Sequence, residues 1–454
     1  MKKNIIILFI FITLQIFAQD KHKQITITGD SLKGKLIEGE NFREVIGNVV
    51  ITQDDVIITC LKAIQNISKN SAVLIGNVVV KQDSVVITTE KGNYYGNEKI
   101  TTSDTLVHLQ NNSTNLIANT GLYNFETKIA EFNGDVLFYD SVTTLRSQKL
   151  IYEKEIEKII ATKNVEVSDS VSKINADSLI HFRTTKLSEG YGNVKIYSKE
   201  NNVTISGKQL LDDKQNNISK IFGDPFLIQI EALSDSTYDT LYIQSKYMEA
   251  KSDSGSKLIA IDSVKIIRGD FLSNNDYTIY DKAVEEITIL KQNEKPVPIL
   301  WYENTQITGD SLYIHLDSSK IKNVEIIKNA IMISQDSVYQ FRYNQMSGDT
   351  IYLYFNDGDL SQTNVNGNVL SIYYLFDEKE PNGLLKSSGE KFKIFIADNK
   401  VTDVKLYGSP VSEYHPENLV KGNEKSFTLP TFILYSNKPD KKKFENMFFE
   451  INKN

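Results

Sequence analysis

Five residues, Gly47-Asn48-Val49-Val50-Ile51, return along the first half of the chain at a fixed interval. Copies stand at Gly76-Asn77-Val78-Val79-Val80, Gly134-Asp135-Val136-Leu137-Phe138, Lys163-Asn164-Val165-Glu166-Val167 and Gly192-Asn193-Val194-Lys195-Ile196, so that successive starts differ by 29, 58, 29 and 29. The gap is filled by a degenerate copy, Thr105-Leu106-Val107-His108-Leu109, with apolar residues in the third and fifth places. A unit this short cannot bury an apolar face alone. The units must stack, and the chain is read as a repeat architecture.

Other positions keep the phase. Ile58, Ile87, Leu116, Leu145 and Ile174 lie eleven residues after the starts, and Cys60, Thr89, Ala118, Ser147 and Ala176 lie two further on. An apolar residue followed by a small one on the same strand face marks a narrow interior. Tyr94, Tyr123, Tyr152 and His181 fall eighteen residues after their starts, and stacking is expected to align them as a ladder of rings on adjacent strands.

The local period is two, the signature of strands. Alternation as in Val165-Glu166-Val167 places Val49, Ile51, Val78, Val80, Val107, Leu109, Val136, Phe138, Val165, Val167, Val194 and Ile196 on one inward apolar strip. Lys195 points outward, where its replacement by Asp is expected to be nearly silent. The Gly-Asn and Gly-Asp pairs are expected to open each strand with positive φ. The fold class is therefore all-β, a repetitive antiparallel stack. After Gly223 the spacing lengthens to 39, between Asn329 and Asn368 and between Gly309-Asp310-Ser311 and Gly348-Asp349-Thr350. The organisation expected is 19–222 as the 29-residue repeat region, 223–410 as a second region of longer repeats with a break near Lys295–Pro298, and 411–454 as a tail or cap. Two abutting bodies and one continuous stack both fit this spacing.

Lys2 and Lys3, an apolar run from Ile5 to Phe17, and Ala18 before Gln19 read as a signal peptide over residues 1–18. About 13 apolar residues fall short of the ~20 that span a bilayer. Its removal takes two lysines and no acid, moving the formal charge from −7 to −9. The longest basic run is Lys441-Lys442-Lys443, which argues against nucleic acid. The one cysteine, Cys60, cannot form an internal disulfide.

Strands of the form Gly-Asn-Val-x-apolar, each followed by a strand such as Ile174-Asn175-Ala176-Asp177-Ser178-Leu179 and carried behind a signal peptide, resemble the OstA-like, or LptA-like, lipopolysaccharide-transport proteins. The resemblance covers roughly residues 25–410 and is sharpest from 45 to 210. It implies a β-jellyroll folded like a taco shell around an apolar groove. It also implies a periplasmic protein near the outer membrane that carries lipopolysaccharide acyl chains along the inward strip. Implied partners are lipopolysaccharide, other β-jellyroll transport proteins of the two membranes and a further copy of the chain, head to tail. The alternative is a secreted β-solenoid adhesin or carbohydrate-binding surface protein with a dry interior.

Nothing in the sequence supports an enzyme, a metal site or a cofactor. His22, His108, His181, His315 and His415 are isolated; His108 is placed on the solvent side and His181 in the ring ladder. Asp-Ser pairs such as Asp169-Ser170 and Asp310-Ser311 are read as Asx turns. Asp54-Asp55 and Asp212-Asp213 are read as solvated. The first strand, with Ile25, Thr26 and Ile27, has little before it and is the expected partner-docking edge; the C-terminal tail is expected to shield the opposite edge.

Overall fold

The computed structural model describes residues 24–453, except 201, 235–236, 252–256, 318–319, 379 and 399. The expected signal segment and His22 lie outside the described residues. Strand makes up 70% of the chain and helix 5%, with every recorded pairing antiparallel. Two compact units divide between Val136 and Leu137, inside the strand Ile129–Tyr139. Both are β-jellyroll-like. The expected change of region at 222/223 falls within the second unit.

Each 29-residue repeat supplies two strands. In the first unit Glu40–Gln53, Val56–Asn66, Ser71–Gln82 and Val85–Tyr95 pair in sequence order. In the second unit Thr144–Glu153, Lys158–Ser168, Ser172–Phe182, Leu187–Ser198 and Val203–Asp213 do the same. The 39-residue spacing corresponds to longer strands, of which Asp359–Asp377 has 19 residues and Glu380–Ala397 has 18. Residues 291–298 form the expected loop before Ile299–Tyr302.

The Gly-Asn pairs do not open strands. They lie mid-strand as bulges with both residues left-handed, as at Gly47 and Asn48 (φ 78° and 45°) and Gly192 and Asn193 (φ 69° and 42°). Two residues there face one on each neighbouring strand: the register steps from Ile46↔Lys62 to Val49↔Cys60, leaving Leu61 alone opposite Gly47-Asn48. Such a bulge bends its strand and increases its twist. Repeated at Gly76-Asn77, Lys163-Asn164, Lys328-Asn329 and Gly367-Asn368, it folds alternate strands round a corner into two halves, and the strands paired between them follow without such a pair. Turn chemistry was legible in these residues, but a bend within a strand uses the same positive φ as a turn between strands.

The residue opposite the bulge is often a carboxylate that accepts from the bulge asparagine. Asn48 Nδ2 donates to Asp30 at 3.0 Å, Asn193 to Asp177 at 3.0 Å, Asn329 to Asp310 at 3.2 Å and Asn368 to Asp349 at 3.1 Å. Asp310 is thus a corner residue and not an Asx turn. Asp169 does make the expected turn, accepting from the amides of Val171 and Ser172. The small residues precede the corner and are buried; Cys60, Thr89 and Ser147 each donate to the carbonyl two residues on, across the bend. A narrow interior and a satisfied corner carbonyl are met by one residue.

The rings do not stack on adjacent strands. Thr101 pairs with both Tyr94 and Tyr123, and Ile159 pairs with both Tyr152 and His181, so the rings occupy alternate strands. Phe125 instead bridges Tyr94 and Tyr123, with centroids at 6.2 and 4.9 Å.

Residues 416–453 are neither a loose tail nor an edge shield. They run as a strap over the outer face of the second unit and end in the helix Lys441–Lys453. Leaving the sheet, the strap is pinned by Arg342, which is 2% exposed and donates from Nη2 to Glu417 at 2.6 Å and Glu424 at 3.2 Å. Gln345 then clamps the backbone by donating to the Phe427 carbonyl and accepting from the Leu429 amide, and Gln306 does the same for Ile433 and Tyr435. Phe444 of the helix is buried among Phe226, Tyr242, Ile267 and Trp301. The strap follows an apolar outer face, which is why it lies there. The terminal strands Lys400–Tyr407 and Val411–His415 remain exposed and pair only with Glu380–Ala397 among the described residues. Lys195 also departs from expectation, since its Nζ holds the Ile451 carbonyl at 2.8 Å.

The corner predicts a paired stability effect. At Gly192 an added Cβ would meet Asp177 Oδ2 at 2.2 Å in a left-handed backbone, so Gly192→Ala should cost about 2 kcal/mol in urea unfolding. Lys163 occupies the equivalent place with φ 66°, so Lys163→Gly should stabilise by roughly 0.5–1 kcal/mol. Equal, small effects at both places would contradict the strained-corner account.

Candidate functional site

The inward strip is built as the alternation requires. Val49, Ile51, Val78, Val80, Val107, Leu109, Val136, Phe138, Val165 and Val194 are buried, while Val167 and Ile196 are half-buried. In the first unit this interior is closed on the side opposite the corners. Gln53 donates to the Gly96 carbonyl at 2.9 Å and accepts from Tyr94 at 2.6 Å, Lys99 meets Asp54 at 3.2 Å, and Gln82 reaches the Phe125 carbonyl at 3.4 Å. Each contact joins hairpin ends from the two halves of the bent strands. They form a polar seam.

The second unit continues this device with charges. Asp140 meets Arg183 at 3.8 Å and Asp169 meets Lys214 at 3.2 Å. One oxygen of Asp169 serves its own turn while the other spans the seam. Burial opposes its ionisation, but the Val171 and Ser172 amides and Lys214 outweigh it and hold the carboxyl below its ordinary range.

The bridging residues Gln53, Gln82, Asp140 and Asp169 fall at places of the 29-residue period, and Asn111 and Ser198 stand at the places between and after them. An apolar cavity of about 220 Å³ lies between the halves, lined by Ile196, Ser198, Val203, Ile205, Ser219, Ile221, Leu227, Ala250, Leu258 and Tyr280, with Lys251, Lys257 and Lys282 on its rim. Glu249 meets Lys251 at 3.2 Å and Asp281 meets Lys257 at 3.0 Å. A second cavity of about 590 Å³, nearer the C-terminal end, includes Met332, Met346, Leu360, Ile394 and Ile396 in its wall. The combination offers apolar surface within and ammonium groups at the lip, which suits an amphiphile with an anionic head. Sequence reading placed the strip but did not locate this cavity.

The remaining polar candidates serve structure. His181 is half-buried and bonded to Ser188 Oγ at 3.0 Å; burial and the neighbouring Arg183 push its pKa down. His108 lies half-buried on the outer face beside Asn115. Asp54 pairs with Lys99 and Asp55 accepts from Gln82, so both belong to the seam. Asp212 is buried and accepts from Ser219 at 2.6 Å, in place of the solvated face expected; Asp213 holds the turn at Gln215-Asn216.

At the N-terminal edge, Thr26–Thr28 and Ser31–Ile37 pair only with Glu40–Gln53 among the described residues. Ile25 and Ile27 are buried and Thr26 is exposed. Leu32 pairs with buried Val45, so both share the inner face, yet Leu32 is 54% exposed. The apolar interior therefore reaches solvent at this edge.

Filling the lysine-rimmed cavity should separate binding from stability. Ala250→Phe projects a ring into the 220 Å³ cavity and should lower the affinity for an apolar fluorescent probe at least fivefold. Lys81→Gln, on an exposed outer position, should leave it unchanged. Probe binding indifferent to Ala250→Phe in a normally folded variant would remove this cavity from the site.

Among the described residues no helix is long and apolar enough to cross a membrane. No curated protein is matched by the chain. Residues 21–177 match the family model of the OstA-like proteins, and this stretch contains all of the 29-residue copies except the one at Gly192. The repeat that bends around Gly-Asn corners and encloses the apolar strip is thus, over residues 21–177, similar to the OstA-like proteins.

Proposed function

We propose that the protein is a periplasmic lipopolysaccharide-binding and transport protein, a segment of a β-jellyroll bridge used in outer-membrane assembly. The observation that carries the reading is the lysine-rimmed opening onto an apolar interior in an OstA-like chain. Acyl chains would enter between Val203, Ile205, Ala250 and Leu258 and gain about 0.8 kcal/mol for each CH₂ removed from water. The headgroup phosphates would stay at the lip and compete with Glu249 and Asp281 for the lysines. Along the Gln53–Gly96 and Asp169–Lys214 seam, passage requires polar bridges to part. Gln53 and Gln82 are buried and reach across by neutral hydrogen bonds worth about 1 kcal/mol each, while the partly exposed ion pairs of Asp140 and Asp169 are worth about 1 kcal/mol or less. Such a seam opens locally and closes again without unfolding the strands.

The regions 19–222 and 223–410 would then carry the same cargo path, with 411–454 as a covering segment. Mass spectrometry of the protein purified from a lipopolysaccharide-producing envelope tests the reading. Lipopolysaccharide should co-purify and be reduced by Ala250→Phe. Its absence from the wild-type protein, or retention of another lipid class alone, would overturn the assignment.

The partner-docking edge is proposed at Ile25, Thr26 and Ile27, where among the described residues the strand pairs on one side only and the inner face is exposed nearby at Leu32. Ile25 is tied inward, its amide donating to Asn70 Oδ1 at 3.0 Å, so Thr26 is the better probe position. A photo-crosslinker at Thr26 should capture a β-jellyroll protein, or a further copy of this chain, in intact cells. Adducts with neither would move the docking edge elsewhere.

A further inference from the structure

We propose that the exposed side of the C-terminal strap is a membrane-contact surface that binds an anionic lipid leaflet. The strap's inner side is fully engaged: Arg342 neutralises Glu417 and Glu424, Gln306 and Gln345 hold its backbone, and Phe444 fills the outer apolar cluster. What faces away from the sheet is therefore not needed to hold the strap down. That side carries Leu419, Ile433, Leu434 and Phe449, each about half exposed or more. Between them stand Lys421, Lys425, Lys442 and Lys443, all exposed, while Lys438 reaches back to the Glu303 carbonyl at 3.0 Å.

The charge distribution points the same way. Residues 416–453 contain seven lysines and five acids, and Arg342 engages two of the five, whereas the whole chain carries −7. This basic stripe lies on an acidic protein. Lys441, Lys442 and Lys443 also occupy the first turn of the terminal helix, which holds no acid, where the helix dipole disfavours cations. Lys441 is accounted for by its bond to the Gly269 carbonyl at 3.1 Å. Asp440 caps the helix start, its carboxylate accepting from the Lys442 amide at 3.0 Å, and the Lys442 and Lys443 side chains stand exposed beside it, where an external anionic surface would meet them. The apolar anchors are spread along the strap and not gathered into one patch. A protein interface needs a contiguous desolvated centre, whereas shallow insertion of separate apolar side chains among lysines is how interfacial segments hold to anionic bilayers.

This surface lies on the outer face and does not depend on the interior carrying lipid. The test is co-sedimentation of the full mature chain with phosphatidylglycerol/phosphatidylethanolamine vesicles, against phosphatidylcholine vesicles, at low and high salt. The wild-type protein should bind the anionic vesicles, at least tenfold more weakly in 0.5 M salt. Lys442→Glu/Lys443→Glu and Phe449→Ser should each reduce binding at least fivefold with an unchanged melting temperature, while Ala250→Phe should bind as wild type. Overturning results are binding that ignores lipid charge and salt, the absence of vesicle binding, loss only in Ala250→Phe, or strap variants that bind vesicles normally and instead lose an acidic protein partner.

Discussion

The fold depends on a bend made inside the strand. An antiparallel stack of straight strands would present one open apolar face, and nothing within a 29-residue unit could cover it. Two consecutive left-handed residues, opposite a single residue on each neighbouring strand, turn alternate strands such as Glu40–Gln53 and Ser71–Gln82 back on themselves, and the strands between them follow. The apolar residues before and after the corner, such as Val45 and Val49, then both face inward and are completely buried. The asparagine of the pair donates to a carboxylate across from it and so ties the corner to its neighbour. Where Lys163 replaces glycine, the corner persists at the cost of a strained backbone, held by its neighbours on both sides.

Closing the opposite side is a separate problem with a weaker solution. Hairpin ends cannot pair by backbone, so side chains of sufficient length reach across: Gln53 and Gln82 in the first unit, Asp140 and Asp169 in the second. In the second unit an apolar cavity with lysines on its rim lies beside Ser198. The corners are held by backbone pairing on both sides, whereas the opposite side is held by side chains alone.

Periodicity made the strands, the inward strip and the stacking legible, because burial on one face forces a period of two and repetition forces a common phase. The side of the strand on which Val49 or Val194 lies needed no structure. The role of Gly47-Asn48 was misplaced since positive φ serves a turn and a mid-strand bulge equally, and only the pairing register distinguishes them. The seam escaped because its contacts join residues about 43 positions apart, as between Gln53 and Gly96, one and a half periods, so the partners occupy different places of the repeat and never align in its columns. The strap escaped for a similar reason: its lysines and scattered aromatics show no strand alternation, and its partners Gln306, Gln345 and Arg342 look like ordinary surface residues in sequence.

The central claim is that lipid chains occupy the apolar cavity rimmed by Lys251, Lys257 and Lys282, and a photo-crosslinking residue placed in its wall tests it most directly. One variant carries it at Ile205, in that wall, and a second at Ile58, in the closed first unit. After ultraviolet exposure of living cells, the account predicts a lipopolysaccharide adduct at Ile205 that is stronger than at Ile58 and is suppressed by Ala250→Phe. Equal labelling at the two positions, or no lipid adduct at Ile205 in a folded protein, would contradict it.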